Sequence, residues 1–446
     1  MIDNTLFLPG LSPVENLDIH ARFDGGALSS DGGVLLLREI ERGLRFAGMI
    51  AACMQDKRDP ARTLHSNISM IRERMFAICC GYEDCNDLDD LRHDPAFKIA
   101  CERLPDSGSA LASQPTLSRM ENTPSWRQLA RMAVAMIDLF CASSRRVPNH
   151  IMLDIDDTTD RAYGDQQLSL FNSHAGGYCF QPIHIYDAAT QKPVCFFLRP
   201  GKRPSGIEAA RVLRFVITHI RRNWPRVAIT VRGDGHYGTP EVMDFLERHD
   251  CGYILGLPGN RRLKELSHDW CEDVATRRAH WKRDKLRRFF QTRYGARTWS
   301  RKRKIVARVE VTAQGTDVRF IVTNLEGRGK HLYERVYCAR GKAENLIKEH
   351  KLYTRSDRTY CDRWQANQFR LFLHTGAYWL LLLLRGAAPR RSRWRTATFD
   401  TIRRAFLKIA VRVQQLKSRI LIALPTACPQ QAILTLMPGK INAQSP

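Results

Sequence analysis

Four side chains that can bind phosphate or metal lie close together in one stretch of the chain. They are Tyr337, Arg340, Glu344 and Lys351. Residues 337–351 contain no proline and predict a helix, in which Gly341 costs about 1 kcal/mol relative to alanine. At about 100° per residue, the four side chains fall within an arc of about 60°. Apolar residues would occupy that arc on a core helix, so the pattern indicates either a solvated charged face or a site for phosphate and metal.

Acidic residues follow two predicted strands earlier in the chain. The apolar strand 151–155 enters a cluster of three acids, Asp154, Asp156 and Asp157. The β-branched strand 227–231 stops before Asp234, which lies between two glycines that permit a sharp turn. In a mixed sheet with parallel central strands, these two strand ends can be adjacent, and the helix that carries Glu344 can lie over them.

Carboxylates from these three places would converge on one point. Hard divalent ions such as Mg²⁺ are bound by a few carboxylates and leave positions for phosphate oxygens. Two such ions, about 3.5–4 Å apart, can activate a water and stabilise the leaving oxygen of a phosphodiester. An Asp at a strand end is by itself more often a turn or capping residue, so the prediction rests on the combination of all three positions.

The charge of the chain points to a polyanionic partner. Its 446 residues carry a net charge of +24, with 43% hydrophobic and 26% charged residues, which is typical of a globular protein with two or three domains. So strong a positive field attracts nucleic acid first. A membrane surface is disfavoured because the basic residues are spread over the whole chain. The longest apolar run, residues 377–384, is shorter than the roughly 20 residues that span a bilayer, and it predicts a buried helix over 369–384.

The start of the chain and its cysteines indicate a compartment. Residues 1–11 contain no basic stretch followed by an apolar run, so we expect no signal peptide. Thirteen cysteines without such a signal are typical of reduced thiols in the cytosol. The expected location is cytoplasmic, in association with the nucleoid.

Both ends of the chain contain stretches that could contact DNA. Residues 1–147 are predicted to be helical, and within them residues 109–122 resemble a helix-turn-helix whose second helix starts near Leu117. That helix would present Thr116, Ser118, Arg119 and Asn122. An ordinary helical corner is the alternative. Near the other end, residues 399–422 predict a basic amphipathic helix.

An α/β pattern begins after residue 147. Its predicted order is three strands, a helix, a strand, a helix and a fifth strand at 252–257, which favours a mixed sheet with a parallel half. A basic stretch with interleaved aromatic residues, 281–304, then interrupts it, and two predicted strands follow at 304–312 and 317–323. Such a composition suits phosphate contacts and base stacking, or else a solvated basic edge strand. The candidate DNA-binding residues here are Lys282, Arg287, Arg288, Trp299, Arg301 and Arg303.

Together these motifs resemble the DDE transposases of bacterial insertion sequences, in the group with a Y-x-x-R-x-x-x-E-x-x-x-x-x-x-K signature. The signature is met with every spacer intact by Tyr337, Arg340, Glu344 and Lys351. The family motif D-x-T at the first carboxylate is matched by Asp156-Asp157-Thr158, and Asp234 stands in the segment RGDGHY. Further similar segments, which point to the insertion-sequence thirteen-eighty family, are LDIDDTTD at 153–160, GYEDCNDLDDLRHDP at 81–95, LASQPTLSRMEN at 111–122 and ANQFRL at 366–371.

The resemblance covers residues 29–384 and implies a fold. It implies an α/β, ribonuclease H-like mixed sheet flanked by helices, with a β-rich insertion and an all-helical N-terminal region. The implied domains are a helical DNA-binding region (1–147), a catalytic core in two parts (148–257 and 330–385), a β-rich basic insertion (258–329) and a basic helical C-terminal segment (386–446).

The resemblance also implies which residues act. Asp156, Asp234 and Glu344 would be the catalytic metal ligands, holding two Mg²⁺ ions that Mn²⁺ can replace. The D-x-T motif favours Asp156 as the first ligand, whereas strand alternation places Asp154 on the same face and Asp157 also precedes a threonine. The implied DNA contacts near the cut are Tyr337, Arg340 and Lys351.

The implied activity is that of a transposase. Water would cut one strand at each inverted-repeat end, and the freed 3′-hydroxyl would attack the opposite strand to form a hairpin and later attack target DNA. The implied partners are double-stranded DNA, as inverted repeats and target, and a second copy of the chain in the assembled complex, with no membrane.

Two other classes share part of this pattern. A ribonuclease H-like structure-specific nuclease would need the carboxylates but neither strand transfer nor the face from Arg340 to Lys351. A catalytically silent, transposase-derived DNA-binding regulator would need no carboxylates, and the intact acids argue against it. A glycosidase with paired carboxylates would have no use for the charge of +24.

Overall fold

The computed structural model describes residues 11–444, which form two compact units. The first comprises residues up to 123 together with those from 376 onward, and the second comprises residues 124–375. Residues 1–10 lie outside the described range, and with them nearly all of the segment 1–11 in which no signal peptide is expected. The last two residues of the predicted C-terminal segment also lie outside this range. None of the helices within 11–444 is long and apolar enough to cross a membrane.

Helices and strands alternate irregularly along the described chain. The α-helices are α1 (Val34–Leu44), α2 (Phe46–Cys53), α3 (Asn67–Cys80), α4 (Leu88–Leu91), α5 (Pro95–Ala100), α6 (Gln114–Asn122), α7 (Trp126–Ala142), α8 (Gly206–Asn223), α9 (Pro240–Arg248), α10 (Arg261–Leu266), α11 (His268–His280), α12 (Gly329–His331), α13 (Gly341–Thr354), α14 (Trp364–Ala387), α15 (Phe399–Ile402) and α16 (Gln431–Gln444). The strands are β1 (Leu28–Ser29), β2 (His150–Asp157), β3 (Asp160–Arg161), β4 (Leu170–Asn172), β5 (Gly177–Phe180), β6 (Ile183–Asp187), β7 (Pro193–Phe197), β8 (Ala228–Gly233), β9 (Gly252–Leu257), β10 (Lys285–Tyr294), β11 (Arg303–Thr312), β12 (Gly315–Thr323), β13 (Val411–Gln415) and β14 (Ile420–Ala423).

An eight-stranded mixed sheet forms the centre of the second unit, in the order β10-β11-β12-β9-β8-β2-β6-β7. Strands β2, β8 and β9 are parallel to one another, and the remaining neighbours are antiparallel. Helices α8 and α9 lie in the connections before β8 and β9, as parallel strands require, and a capping box of Ser205 and Glu208 begins α8. The predicted ribonuclease H-like mixed sheet flanked by helices is therefore confirmed.

The β-rich insertion extends this sheet instead of forming a separate one. The predicted pair of strands is confirmed, because β11 and β12 are antiparallel with Thr312 opposite Gly315. The sequence pattern does not reveal β10, α10 or α11. In β10 the apolar residues are outnumbered by Lys, Arg and Gln, which hides the alternation, although Leu286 is buried against Val274 and Val309.

The first unit is helical apart from a small sheet, β1-β13-β14. Helix α1 buries Val34, Leu37 and Ile40, which lie on one helical face. The predicted buried helix over residues 369–384 is confirmed within α14.

The predicted basic helix over residues 399–422 is wrong. Helix α15 is short, a π turn (Arg403–Leu407) follows it, and β13 and β14 come next. In β13, Val411 and Val413 are buried while Arg412 between them is exposed. This two-residue alternation of β-branched side chains favours a strand over a helix. The C-terminal segment is therefore not helical throughout.

Residues 109–122 contain one helix instead of two. Helix α6 starts at Gln114, whereas the preceding α5 ends at Ala100. A helix-turn-helix joins its helices through a turn of about 3–4 residues, so this segment does not form the predicted motif. Arg119 is an exposed residue of α6.

Candidate active site

Strand β2 brings three acids to the centre of the sheet, and both carboxylate oxygens of the first acid accept hydrogen bonds. Asp154 lies opposite Arg232 of β8, whose Nε and NH2 are 2.6 and 2.7 Å from the two carboxylate oxygens. Both side chains are almost completely buried. A bidentate pair of this kind occupies both oxygens of Asp154, which leaves it a structural role.

Asp157 is held by the protein in a similar way. It accepts hydrogen bonds from the Tyr237 hydroxyl, at 3.0 Å, and from the Gln181 amide, and His236 Nδ1 lies 3.5 Å away. Burial alone would raise the pKa of Asp157, but the hydrogen bonds from His236 and Tyr237 outweigh it and lower the pKa. Asp157 is thus a buried carboxylate that remains ionised through its own protein partners.

Asp156 is placed differently from its neighbours. Its Oδ2 is 2.9 Å from Arg340 NH1, and its Oδ1 accepts the backbone N–H of Asp157 at 3.0 Å. Burial raises the pKa of Asp156 to about 7, and the charges of Asp234 and Asp157 add to this despite the opposing effect of Arg340. Asp156 thus pairs with the Arg340 guanidinium, yet burial still holds the pKa of its carboxyl above the usual value.

Asp234 follows β8 on the neighbouring parallel strand. Gly233 lies opposite Ile155, so Asp234 and Asp156 leave adjacent strands at the same edge of the sheet. Neighbouring strands are about 4.8 Å apart, which brings the two carboxylates close together. Asp234 Oδ1 accepts the backbone N–H of His236 at 2.8 Å, which turns the chain directly after the strand.

The segment that carries the four-residue signature was predicted to be one regular helix, and this prediction is wrong. Leu332–Tyr337 is a π turn, Cys338–Arg340 is a 3₁₀ turn, and α13 begins at Gly341. The arc of about 60° expected from a uniform α-helix therefore does not apply to Tyr337 and Arg340. Contacts with the sheet position these side chains instead.

Arg340 connects the sheet to α13. Its NH1 binds Asp156 and its NH2 is 2.9 Å from Glu344 Oε1. Burial would lower the pKa of the guanidinium, but Asp156, Tyr337, Glu344 and Asp234 together raise it. Asp156 and Glu344 thus share one guanidinium, and the charge of Asp234 also acts on it.

The carboxylates are not preorganised as a metal site. Among the described residues, no group of three His, Cys, Asp or Glu side chains is arranged to hold a metal ion. Glu344 is 59% exposed and pairs with Arg340. The donor set nevertheless suits a hard cation, since it consists of carboxylates, two of which already bind a positive charge.

A cavity of about 460 Å³ opens beside Glu344. Its walls combine cationic and aromatic side chains, among them Arg308, Arg319, Phe320, Tyr333 and Tyr337. The Arg308 guanidinium lies 5.9 Å from the centre of the Tyr333 ring. A cavity with this lining can accept phosphate oxygens and the flat face of a base.

Lys351 is placed away from this cavity lining. Its Nζ contacts Thr158, Thr159 and Asp160, in the segment that follows β2. The structure therefore does not bring all four signature residues to one surface.

Most predicted DNA-binding residues of the insertion are exposed, but several have protein partners. Arg287 pairs with Glu310, Arg288 lies over Trp281 at 5.2 Å, and Arg301 pairs with Glu247 at 2.7 Å. Lys282 is exposed, and Trp299 is partly buried beside Tyr294.

Arg303 is not available for DNA contact, contrary to prediction. It is 4% exposed and pairs with Asp244 and Glu247. Its position at the start of β11 turns the side chain toward α9, which carries both acids.

Three residues near the acids are missed by the sequence-based assignment. His236 and Tyr237 lie two and three residues after Asp234, so their proximity to the site is a signal that the sequence contains. The hydrogen bond with Asp157 and the charge of Asp234 raise the pKa of His236 despite its partial burial. Gln181 gives no signal, because it approaches Asp157 through the pairing of β2 with β6.

Gly256 allows β9 to pass directly beneath the site. A Cβ there would lie 2.6 Å from Gly235 N, 2.7 Å from Tyr337 Oη and 2.9 Å from the carbonyl carbon of Asp234. We expect Gly256→Ala to displace Asp234 and to lower the free energy of unfolding by about 1–3 kcal/mol through overpacking. Chemical denaturation measures this, with Gly259→Ala as the control, because nothing lies within 4 Å of a Cβ at Gly259. Equal stability of the two variants would contradict the close packing.

Comparison with known proteins gives one family match. Residues 11–446 match the family described as Transposase DDE domain group 1. No curated protein is a detectable relative in sequence.

The solved structures to which the chain is similar at a low level include two complexes. The first is a cryo-EM structure of the piggyBac transposase synaptic complex with hairpin DNA, with 10% identity, a TM-score of 0.43, and coverage of 85% of this chain and 80% of that chain. The second is the Mos1 transposase paired-end complex with left transposon end, with 14% identity, a TM-score of 0.18, and coverage of 51% of this chain and 68% of that chain. At these scores neither similarity supports a conclusion about function.

Proposed function

Because the chain belongs to the family described as Transposase DDE domain group 1, we propose that it moves the insertion sequence that encodes it. It binds the inverted-repeat ends, cleaves them by metal-dependent phosphodiester hydrolysis and joins them to target DNA, in a cut-and-paste reaction through hairpin ends. The observation that carries the proposal is that Asp156 and Glu344 share the Arg340 guanidinium while Asp234 follows the strand beside Asp156. The proposed subgroup is the insertion-sequence thirteen-eighty family with the Y-R-E-K signature.

Asp156, Asp234 and Glu344 are the proposed ligands of two Mg²⁺ ions, which Mn²⁺ can replace. Asp156 is preferred to Asp154 and Asp157 because those two acids are already satisfied by protein donors. When bound, the ions supply an activated water and charge stabilisation for the leaving oxygen.

Arg340 has two successive tasks in this proposal. In the free protein its guanidinium neutralises Asp156 and Glu344, which keeps mutually repelling carboxylates together. Released from them, the guanidinium can form two parallel bonds to a phosphate at the cut. Tyr337 is half-buried at the rim of the same cavity and can donate a single hydrogen bond to that backbone.

The cavity beside Glu344 is the proposed binding site for the cut end of the DNA. Arg308 and Arg319 would meet phosphates, and the rings of Tyr333 and Phe320 would meet a base. The proposed contacts along the remaining DNA are Lys282, Arg287, Arg288, Trp299, Arg301 and, in the first unit, Arg119. Since two transposon ends must be brought together, we expect a homodimer in the assembled complex, in the cytoplasm and associated with the nucleoid.

Replacing Arg340 by alanine should impair hairpin formation more than first-strand nicking. A lost hydrogen bond to a charged group costs about 1.5–3 kcal/mol, so we expect about a tenfold to hundredfold slower hairpin step. Gel analysis of hairpin and nick formation measures both rates. The control is Arg335→Ala, which removes the same charge from an exposed position of the same segment. Equal loss of both steps in Arg340→Ala would contradict a local role at the phosphate.

One assay separates the proposed transposase from the two alternatives. Purified protein, Mg²⁺ and a labelled duplex with the element's own inverted repeat are incubated, and nicks, hairpins and joined products are followed. Nicking together with joining supports the transposase. Cutting without joining would favour the structure-specific nuclease, and tight binding without chemistry in Mg²⁺ or Mn²⁺ would favour the catalytically silent regulator.

A further inference from the structure

The ammonium group of Lys351 is enclosed by the protein. Its Nζ lies 3.1 Å from Thr158 Oγ1, 2.5 Å from the carbonyl oxygen of Thr159 and 3.2 Å from Asp160 Oδ1. The Thr158 and Thr159 oxygens accept hydrogen bonds from the ammonium group, and Asp160 Oδ1 lies at ion-pair distance. With 19% of its side chain exposed, Lys351 lacks the access of a surface phosphate contact.

Asp160 explains why this lysine stays in place. The Asp160 side chain is 2% exposed, at the start of β3, where it lies opposite Phe180 of β5. A buried carboxylate without a cation is strongly unfavourable, and removing one partner of such a pair is costly. If Lys351 turned outward to a DNA phosphate, the buried Asp160 carboxyl would lose its cation and would have to take up a proton.

The contacts of Lys351 connect two elements of the proposed active site. Residues 158–160 directly follow Asp156 and Asp157, and α13 carries both Glu344 and Lys351. Seven residues along an α-helix span about 10 Å and end within about 20° of the starting direction, so both side chains leave the same side of α13. Arg340 joins the same helix segment to Asp156 at the other end.

We propose that Lys351 is a positioning residue, which fixes the chain after Asp156 against α13 and thereby sets the separation of Asp156 from Glu344. This inference rests on the proposed function of those two carboxylates. It differs from the DNA contact that the signature implies for Lys351. In the proposed arrangement Lys351 and Arg340 each connect the end of β2 to the segment that contains α13. The contacts of Lys351 persist when DNA binds.

The test compares Lys351→Met, Lys351→Arg, Asp160→Asn and the double variant Lys351→Met/Asp160→Asn. The double variant leaves no buried unpaired charge and therefore keeps the test usable if Lys351→Met unfolds. Three quantities are measured: the affinity for the end duplex as a function of salt, the single-turnover cleavage rate as a function of Mn²⁺, and the melting temperature. The matched control is Lys348→Met, an exposed lysine of the same helix.

The positioning role predicts an unchanged salt slope together with impaired chemistry. Loss of a group that orients a metal ligand costs about 10–100-fold, so Lys351→Met should slow cleavage by that factor and raise the half-saturating Mn²⁺ concentration. A merely structural role would not change this Mn²⁺ dependence at a temperature where the variant is folded. Asp160→Asn should act in the same direction, the double variant should be no worse than Lys351→Met, and Lys351→Arg should retain most of the activity.

A DNA contact would give a different result. Each lost phosphate contact lowers the slope of log affinity against log salt by about 0.9, so a drop of that size in Lys351→Met would overturn the inference. Unchanged Mn²⁺ dependence would also overturn it. If the wild type cleaves nothing with any divalent ion, the proposed function fails separately. The salt slope and the melting temperatures then decide the inference. A decrease in melting temperature of the double variant that is smaller than the sum of the decreases of Lys351→Met and Asp160→Asn would support it, and a decrease equal to that sum would overturn it.

Discussion

Replacing Asp156 by asparagine should lower the single-turnover rate of strand cleavage more than about a hundredfold, because even the loss of a group that orients a ligand costs about 10–100-fold. Affinity for the DNA end should remain nearly unchanged, since Asp156 is 13% exposed and binds Arg340 instead of a surface partner. Quenched-flow cleavage of a labelled end duplex measures the rate, and gel shift in Ca²⁺ measures the affinity.

The neighbouring acid provides the matched control for Asp156. Asp157→Asn removes the same charge one residue later but keeps an oxygen that can accept the Tyr237 hydroxyl. We expect this variant to cleave measurably. If Asp157→Asn abolished cleavage and Asp156→Asn did not, the first carboxylate would be Asp157.

Replacing Glu121 by leucine should destabilise the first unit by about 3–5 kcal/mol, the cost of breaking a buried ion pair. Arg74 Nε lies 2.7 Å from Glu121 Oε1, and both side chains are almost completely buried. The substitution would leave the Arg74 charge in the core between α3 and α6. Denaturant unfolding followed by far-ultraviolet circular dichroism measures the change.

Two companion variants decide whether the lost pair explains that effect. The double variant Arg74→Met/Glu121→Leu should recover most of the stability, because apolar replacement of both partners is often neutral. Arg119→Ala, on the exposed side of the same helix, should change stability by less than about 0.5 kcal/mol. A loss below about 1 kcal/mol in Glu121→Leu would contradict the buried pair, since it lies outside the range for broken buried pairs.

The parts of the fold that follow from the sequence are those with strong local patterns. Strands β2 and β8 are short apolar runs that end in acid-containing segments, and they are parallel neighbours, as the predicted strand order allows. This arrangement brings Asp156 and Asp234 to the same edge. Their placement required no knowledge of distant contacts beyond the order of the strands.

Other features depend on contacts that no local pattern contains. The exposed basic side chains of β10 hide its strand pattern, and the wrong helix over 399–422 reflects the single charged residue, Arg412, between Val411 and Val413. Uniform helical geometry also misplaces the start of the signature segment, where a π turn and a 3₁₀ turn come before α13. In each case tertiary packing outweighs the periodicity of the sequence.

The roles of the individual acids in the site can also be predicted only partly from the sequence. In the segment LDIDDTTD, four acids look equivalent, yet each has a different partner in the structure. Asp154 pairs with Arg232, Asp156 with Arg340 and Asp160 with Lys351, while Asp157 interacts with Tyr237, Gln181 and His236. The three cationic partners alone come from β8, the 3₁₀ turn before α13 and α13 itself, so spacing could not distinguish the acids.

The central claim is that Asp234 binds a catalytic metal ion, and exchanging its ligand atom tests this most directly. Asp234→Cys places a thiolate where a carboxylate is proposed, and a soft thiolate is a poor ligand for Mg²⁺. Single-turnover cleavage of the end duplex is measured for wild type and variant in Mg²⁺ and in Mn²⁺. We predict that the wild type cleaves in both ions, while the variant is inactive in Mg²⁺ and partly active in Mn²⁺. Equal activity of the two proteins in Mg²⁺, or cleavage by the wild type without divalent ions, would contradict the claim.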